Sequence, residues 1–205
     1  MVGTVDELRF LAVGSGDVDA IAALYADSWR RHYRGAFSDD FLDGDVTAVL
    51  RDRWRERFAT QDPRTRTILA RQGGELAGFA HTELGAHPEW GALLDNLHVA
   101  YGLKRQGVGR RLVALTARAV IEAAPGSGLY LWVLEQNAAA RAFYAALGGE
   151  TTERHAVGAP GGVSSRLNGS PMSLAIVWPE PSRLLAGDST AAAGAGPVAD
   201  QKFSD

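Results

Sequence analysis

Short apolar runs alternate along this chain with stretches in which apolar residues recur at helical spacing. The short runs, bounded by Gly, Pro or polar residues, predict strands. They cover residues 8–13, 67–70, 76–82, 93–100, 129–134, 151–157 and 172–178. The helical spacing predicts helices at about residues 18–32, 38–58, 108–123 and 138–147. This order of elements indicates a mixed α/β fold in which helices cover both faces of one sheet.

Two segments lack such a pattern. Residues 158–171 connect the last two predicted strands, and loops of this length are often functional. From Ser182 onward the sequence is mostly Ala, Gly, Ser and Asp, which have little apolar surface to bury. We therefore predict one domain over residues 1–181 and a disordered tail over residues 182–205. Within the second predicted helix, Gly44 interrupts a broken apolar face.

Composition narrows the functional classes. A net charge of -3 gives no global attraction to DNA, RNA or anionic lipid, so no nucleic-acid partner is expected. Cysteine is absent, which excludes disulfides and a cysteine nucleophile and favours a reducing, cytoplasmic location. No apolar run approaches the roughly 20 residues of a membrane span, and the five histidines show no metal-binding spacing. We expect no membrane contact and no metal cofactor.

A basic turn with two glycines lies between the fourth predicted strand and the third predicted helix. The turn reads Lys104-Arg105-Gln106-Gly107-Val108-Gly109, and Arg110 and Arg111 follow it. Glycines let backbone N–H groups close around an anion, and the first turn of a helix leaves its N–H groups free with a positive dipole end behind them. Phosphate is the natural ligand. From spacing alone, an ordinary turn with solvent-facing basic residues explains the pattern equally well.

Two familiar nucleotide-binding loops are excluded at this turn. The dinucleotide fingerprint requires a third glycine where Leu112 stands, and the phosphate-loop pattern of NTPases occurs nowhere in the chain. The phosphate therefore belongs to another class of ligand.

Residues 97–112 resemble the acyl-CoA signature of the GNAT family of N-acetyltransferases. In that signature a strand ending Leu-x-Val is followed by Gln/Arg-x-x-Gly-x-Gly/Ala and a helix, and this chain departs from it only by Lys104 at the first position. A second stretch, residues 131–149, resembles the family's fifth strand and fourth helix, with Gly148-Gly149 in place of the usual Gly-Phe ending. In element order the resemblance extends over about residues 8–178.

The resemblance implies a largely antiparallel sheet whose fourth and fifth strands splay apart, with acetyl-CoA as co-substrate. Pantetheine would then bind the open strand edge as an added strand would, and the diphosphate would bind the N–H groups of residues 106–110. Asn137 matches a pantetheine-side residue of the family, although capping the helix after it would be equally good chemistry. The implied acetyl-CoA-binding residues are Leu97, His98, Val99, Lys104, Arg105, Gln106, Gly107, Val108, Gly109, Arg110 and Asn137.

Two catalytic residues are predicted, the general acid from the same resemblance and the general base from the position of its side chain in the chain. Tyr144 matches the position of a general acid that protonates the departing thiolate, although its helical spacing also fits a core residue. For the general base, Asp95 just before the acyl-binding edge is the first candidate, followed by Glu83, His98 and then His81. In many relatives a Glu stands where this chain has Leu93, so a base is not assigned by the motif itself.

The acceptor pocket is expected between the first two helices and the loop at residues 158–171. Aromatic and acidic residues there could bind a cationic amine, but a buried apolar face with solvated acids explains most of them as well. They are Trp29, His32, Tyr33, Phe37, Trp54, Asp39, Asp40, Asp43 and Asp45.

Taken with the resemblance, these observations predict an acetyl-CoA-dependent N-acetyltransferase. The acceptor would be a small-molecule or peptide primary amine that attacks the thioester directly in a ternary complex. A non-catalytic acyl-CoA binding or sensing module is the main alternative, motivated by Leu93, and an interaction domain without a ligand is a weaker one. Dimers are common among proteins of this kind, so a homodimer is compatible with the resemblance.

Overall fold

A seven-stranded sheet organises the computed structural model, which describes residues 7–186. Its strand order is β1-β2-β3-β4-β5-β7-β6, and every neighbouring pair is antiparallel except β4 with β5. The strands are β1 (Arg9–Ala12), β2 (Thr65–Gln72), β3 (Glu75–His87), β4 (Gly91–Val99), β5 (Leu129–Leu134), β6 (Glu150–Ala156) and β7 (Met172–Trp178). All seven predicted strands are present, and β3 extends five residues beyond its predicted end at residue 82 because its pairing with β4 continues to His87 and Gly91.

Helices cover both faces of the sheet, as the apolar spacing predicts. They are α1 (Val18–His32), α2 (Asp39–Asp43), α3 (Val46–Thr60), α4 (Val108–Ala123) and α5 (Ala138–Ala146). On one face α1, α2 and α3 enclose a core that includes Ile21, Trp54 and Phe79. On the other face α4 and α5 enclose a second core that includes Leu112 and Tyr144. The predicted mixed, largely antiparallel α/β architecture is confirmed.

The second predicted helix is in fact two helices, and Gly44 is the reason. The N–H of Gly44 donates to the carbonyl of Asp40 at 3.0 Å, which closes the last turn of α2. A Cβ on Gly44 would lie only 2.7 Å from that carbonyl oxygen, so only glycine allows this close approach. The chain then restarts as α3 at Val46.

The loop between β6 and β7 is tied to the connection between α1 and α2. The N–H of Ser38 donates to the carbonyl of Arg166, and the N–H of Asn168 donates to the carbonyl of Ala36, both at 2.9 Å. Phe37 and Leu167 form an isolated β-bridge between these hydrogen bonds. The loop predicted to shape the acceptor pocket therefore contacts the connection between the two predicted helices that would form the rest of that pocket.

The packed chain continues past the predicted domain boundary at residue 181. Pro181–Leu185 forms a short 3-10 helix, and Leu184 is buried in the core beneath α4. The side chains of Leu184 and Leu185 provide apolar surface that can be buried, which the other residues of the predicted tail have little of. Residues 187–205 of the predicted tail lie outside the described residues. Between residues 7 and 186, no helix has the length and apolarity needed to cross a membrane.

Candidate active site

A gap between β4 and β5 is the central feature of the site. These parallel strands pair at two positions only, Ala92 with Leu129 and Leu93 with Tyr130. Beyond them the strands separate, and the opposite edge of β5 is occupied by β7 along its whole length. The stretch from Leu94 to Val99 has no paired strand on its β5 side, so the predicted splay is confirmed.

A bulge in β4 lies at the start of this gap. His81 of β3 pairs with Asn96 and Thr82 pairs with Leu94, which leaves Asp95 as an extra residue in β4. A bulge bends its strand and increases the local twist. It also lets Leu94 pack toward α4 while Asp95 and Asn96 contact Arg57 of α3 on the opposite face.

The edge that borders the gap is formed by the predicted residues Leu97, His98 and Val99. Leu97 and Val99 pack against the core beneath α4. His98 points the other way, where its Nδ1 lies 2.8 Å from the hydroxyl of Ser28 in α1. The edge is therefore held on both faces by side chains, while its backbone faces the gap.

The basic turn at residues 104–109, called the glycine turn below, has the backbone conformation that an anion-binding site requires. Gly107 has φ +84° and Arg105 has φ +65°, both in the left-handed region. Within the described part of the chain, the N–H groups of Gly107, Val108, Gly109 and Arg110 donate to no other group. The turn thus presents free amides at the N-terminus of a helix of 16 residues.

The side chains of the turn occupy distinct positions. Val108 is buried and anchors the helix, and Gln106 donates through Nε2 to the carbonyl of Gly102 at 3.1 Å. Arg105 and Arg110 are exposed and make no ion pair among residues 7–186. Gly109 lies where Val99 of β4 and Phe143 of α5 converge, since a Cβ there would be 3.6 Å from each side chain.

Lys104 is engaged with α1. Its Nζ lies 2.6 Å from Nε2 of His32, and it also lies 5.3 Å from the ring centre of Tyr101. Burial together with the positive charges of Lys104 and Arg31 lowers the pKa of His32, so the neutral imidazole accepts a hydrogen bond from the ammonium group. The first cation of the motif is thereby positioned beside the turn.

Asn137 caps α5. Its Oδ1 accepts a hydrogen bond from the N–H of Ala140 at 3.1 Å. The capping role that the sequence allowed is therefore present, and it leaves the Nδ2 group without a partner among the described residues.

Tyr144 is buried on the α5 face that packs toward β7, 6.0 Å from Trp178 between ring centres. Its hydroxyl makes no hydrogen bond to any other described residue. Burial, and to a smaller extent the nearby Tyr33, raises the pKa of Tyr144 well above its usual value. The phenol is therefore protonated near neutral pH and retains a proton to donate.

Asp95 is held by two arginines of α3. Its carboxylate accepts a charge-assisted hydrogen bond from Arg57 and lies 3.7 Å from Nη2 of Arg53. Burial raises the pKa of Asp95, but the two guanidinium groups outweigh that effect and leave it below the usual value. The carboxylate is ionised and fixed in orientation.

The other candidates for the general base differ in their protonation and in their hydrogen-bond or ion-pair partners. Burial lowers the pKa of His98 to about 3, and burial together with Arg57 lowers the pKa of His81 to about 4. Both imidazoles are neutral near pH 7, and Nδ1 of His81 lies 2.7 Å from the hydroxyl of Thr67. Glu83 lies opposite Leu93 on β3 and is 3.5 Å from Nη2 of Arg57. A carboxylate is thus present one strand away from the position where Leu93 replaces the family's Glu.

Comparison with known proteins decides the family. The profile described as "Acetyltransferase (GNAT) family" matches residues 21–148, which is more than half of the chain. The chain belongs to the GNAT family of acetyltransferases. A probable N-acetyltransferase from Mycobacterium tuberculosis is 29% identical over 143 residues, which cover 67% of this chain and 76% of that protein. The family predicted from the glycine turn and from residues 131–149 is confirmed.

Solved structures share the GNAT fold with this chain. A PaiA N-acetyltransferase from Thermoplasma acidophilum in complex with coenzyme A has a TM-score of 0.65 at 15% identity, covering 84% of this chain and 99% of that one. The ribosomal-protein-S18-alanine N-acetyltransferase of Escherichia coli has a TM-score of 0.58 at 20% identity, covering 85% and 94%. At these identities the comparison concerns the fold.

Where the sequence predicts an acceptor pocket in this GNAT domain, most of the expected residues have structural partners. Trp29, Phe37 and Trp54 are buried in the core beneath α1 and α3. Asp39 and Asp43 both pair with Arg34, so their charges are compensated. Tyr33 stacks on Trp29 with 5.2 Å between the ring centres, and burial together with the negative charge of Asp95 raises its pKa.

Sequence reasoning missed the residues on the β5 side of this region. Tyr130 pairs with Leu93 at the last joined position of β4 and β5, and Trp132 follows two residues later on the same face. Trp90, in the turn between β3 and β4, contacts both rings. No signal in the sequence marks Trp132, because it stands in an apolar strand that predicts burial on both faces, and only the structure shows that its side chain is exposed.

Proposed function

We propose that this GNAT protein transfers the acetyl group of acetyl-CoA to a primary amine, which attacks the thioester directly in a ternary complex. The gap between β4 and β5, which opens beside the glycine turn, is the observation that carries this proposal. A coenzyme bound at the turn can extend its thioester arm into that gap. The amine then approaches from the face that carries Asp95.

Acetyl-CoA is held mainly by backbone groups in this proposal. The free N–H groups of residues 106–110 bind the diphosphate, and Lys104, Arg105 and Arg110 supply positive charge around it. The pantetheine arm binds the edge of β4 at Leu97 to Val99, in the manner of an added strand. The Nδ2 group of Asn137 is available to the arm because only its Oδ1 is used by the helix cap.

The thioester carbonyl is polarised by a backbone N–H of β4, from Leu97 or Val99. As the amine nitrogen forms a bond to the carbonyl carbon, negative charge develops on the carbonyl oxygen, and a fixed amide donor stabilises it. The C–S bond then breaks and CoA leaves as a thiolate. Tyr144 gives its proton to this sulfur and is reprotonated from solvent.

Asp95 takes the proton that the amine loses, directly or through one water molecule. Its carboxylate is ionised and lies at the start of the gap, where the bulge turns it toward the acceptor face. The same arginines that fix its orientation also reduce its basicity, so Arg57 acts as a positioning residue. Glu83, the second carboxylate on Arg57, is the alternative base.

Several wider expectations belong to the same proposal. The acceptor is a small-molecule or peptide amine, and the solved structure with this fold that is named a ribosomal-protein-S18-alanine N-acetyltransferase supports a protein acceptor as one member of that class. The domain predicted over residues 1–181, extended by the packed segment that ends at Leu185, acts as one unit in a cytoplasmic protein, with a homodimer as a compatible assembly. The lack of cysteine supports the reducing location.

Thiol release from acetyl-CoA across a panel of amines tests the proposal. We expect turnover with at least one amine class and initial-velocity plots that intersect, because both substrates must be bound before chemistry. Parallel plots would contradict direct attack. Tight CoA binding without turnover for any amine would instead support a non-catalytic acyl-CoA sensor, which Leu93 in place of the family's Glu makes the second candidate.

A further inference from the structure

Four aromatic side chains form a continuous surface beside the gap, which we call the aromatic wall: Trp90, Tyr130, Trp132 and His155. The ring centres of Trp90 lie 5.3 Å from Tyr130 and 6.2 Å from Trp132. The ring of His155 on β6 lies 5.1 Å from Trp132. His87 stacks on the outer side of Trp90 at 4.2 Å. The wall thus spans three separate parts of the chain.

The register of β4 and β5 places this wall at the reaction centre. Tyr130 pairs with Leu93, which is the last joined position before the gap. Two residues further along each strand stand Trp132 and Asp95, on opposite sides of the opening. A ring joined by a short chain to an amine at Asp95 can therefore reach the side of the opening that carries Trp132.

The wall is open to a ligand at Trp132, whereas Tyr130 is buried. Trp132 is 37% exposed, which is unusual for a large apolar side chain in a strand whose other five residues are buried. By contrast, the exposed ring of Tyr101 near the glycine turn is covered by the guanidinium of Arg31 at 4.5 Å and by Lys104. No cation lies over Trp90 or Trp132 among the described residues.

The opposite side of the opening carries balanced charge. Asp95 and Glu83 are matched by Arg53 and Arg57, and the side chain of Arg53 remains 48% exposed. A polycationic acceptor would meet these guanidinium groups without a free carboxylate to receive its extra charges. A flat, uncharged ring would instead pack on the aromatic side chains of the wall, where ring stacking is favourable.

We infer that the aromatic wall selects the acceptor, and that the preferred acceptor is a primary amine joined by a short chain to an aromatic ring. The ring stacks on Trp132 and Trp90 while the amine nitrogen reaches the thioester near Asp95. This inference rests on the proposed acetyl transfer and assigns the substrate class of the same site.

The test compares phenethylamine and tryptamine with n-butylamine and putrescine as acceptors, using saturating acetyl-CoA. For the wild-type protein we expect kcat/KM to be about tenfold or more higher for the aromatic amines, since stacking and ring burial add to binding. Trp132→Ala should abolish that preference while changing kcat/KM for n-butylamine less than about threefold. Trp132→Phe should retain part of the preference because it keeps a ring.

Leu11→Ala is the matched surface control, because Leu11 is also an exposed large apolar residue but lies on β1 at the far edge of the sheet. It should leave the ratio between amines unchanged. Equal turnover of aromatic and aliphatic amines by the wild type, or an equal loss for both classes in Trp132→Ala with unchanged CoA affinity, would overturn the inference and leave acetyl transfer standing. No turnover of any amine despite CoA binding would overturn the proposed function and the inference with it.

Discussion

The two sides of the gap between β4 and β5 are built on different principles. On the side proposed for the coenzyme, one continuous stretch from Leu97 to Arg110 supplies a strand edge, a glycine turn and a helix N-terminus, and the proposed binding groups are backbone groups. On the acceptor side, side chains from α1, α3, β3, β5 and the loop after β6 converge. The coenzyme side therefore depends on backbone conformation, while the acceptor side depends on charge and ring contacts.

Because of this difference, the two sides should tolerate different amino-acid substitutions. A backbone site accepts many side chains provided that the dihedral angles are kept, which is consistent with Lys104 at a position where relatives carry Gln or Arg. A side-chain site changes its substrate whenever one contributing residue changes. Substitutions on the two sides should accordingly alter different kinetic parameters.

The largest effect is expected from removing the charge of Asp95 on the acceptor side. Asp95→Asn should lower kcat/KM by roughly 10²- to 10⁴-fold, because an amide cannot take the proton from the amine. Affinity for CoA, measured by calorimetry, should change little. Asp52→Asn is the control, since Asp52 is an exposed acid of α3 that pairs with Arg55. Near-normal turnover by Asp95→Asn together with a collapse in Glu83→Gln would transfer the base role to Glu83.

Tyr144→Phe should give the next largest effect. Without the phenol, the thiolate must leave unprotonated or take its proton from water, so kcat should fall by about 10²-fold, the lower end of general-acid contributions. The ring that packs near Trp178 is kept, and both stability and CoA affinity should be retained. Unchanged kcat would show that Tyr144 serves only as a core residue.

The two glycines of the turn should differ from each other. Gly107 has φ +84°, so Gly107→Ala places a side chain in a conformation that costs about 1–2 kcal/mol, and CoA affinity should weaken roughly tenfold. In Gly109→Ala the new Cβ would lie 3.6 Å from Val99 and Phe143, which is ordinary contact. CoA affinity should then stay within about threefold of wild type. Equal losses in the two variants would contradict a backbone cradle centred on Gly107.

The smallest effect concerns stability at mildly acidic pH. Burial lowers the pKa of His98 to about 3 in the folded state, whereas an unfolded histidine titrates near pH 6.5. Between these values the unfolded state binds more protons, so stability rises with pH and is lost as the pH falls below about 6.5. The free energy of unfolding should drop by about 1 kcal/mol for this histidine between pH 6.5 and pH 5.5.

Urea unfolding of wild type and His98→Gln over this pH range checks that expectation, because the variant should show the shallower dependence. Asp95, whose pKa is also lowered, contributes only at lower pH, where carboxylates become protonated. Identical slopes for the two proteins would show that His98 does not remain neutral in the folded state.

The sequence was sufficient to predict the strand, turn and helix of the proposed coenzyme side because these elements are adjacent in the chain. The positions of Gly107 and Gly109, the strand before them and the helix after them are adjacent in the chain, and the structure places them as the motif predicts. The acceptor side is not local. The pairing of Asp95 with Arg57 joins residues 38 positions apart, and no periodicity signals it.

The smaller differences between the predicted and observed structure also arise from contacts that are not local in the chain or not visible in hydrophobic spacing. The break at Gly44 depends on one close approach to the carbonyl of Asp40, which hydrophobic spacing does not encode. Trp29 and Trp54 are residue types that often line ligand pockets, but here they are buried in the core. They are buried because α1 and α3 pack their aromatic faces onto β3. Trp132 is predicted as a buried strand residue by its neighbours, yet the splay of the sheet leaves it exposed.

A crystal structure of the protein with CoA would test the central claim most directly. It should show the diphosphate on the N–H groups of residues 106–110 and the pantetheine arm hydrogen-bonded to the β4 edge at Leu97 to Val99, with the sulfur directed toward Tyr144. A coenzyme bound outside the gap, or strands β4 and β5 paired along their full length beside it, would contradict the account.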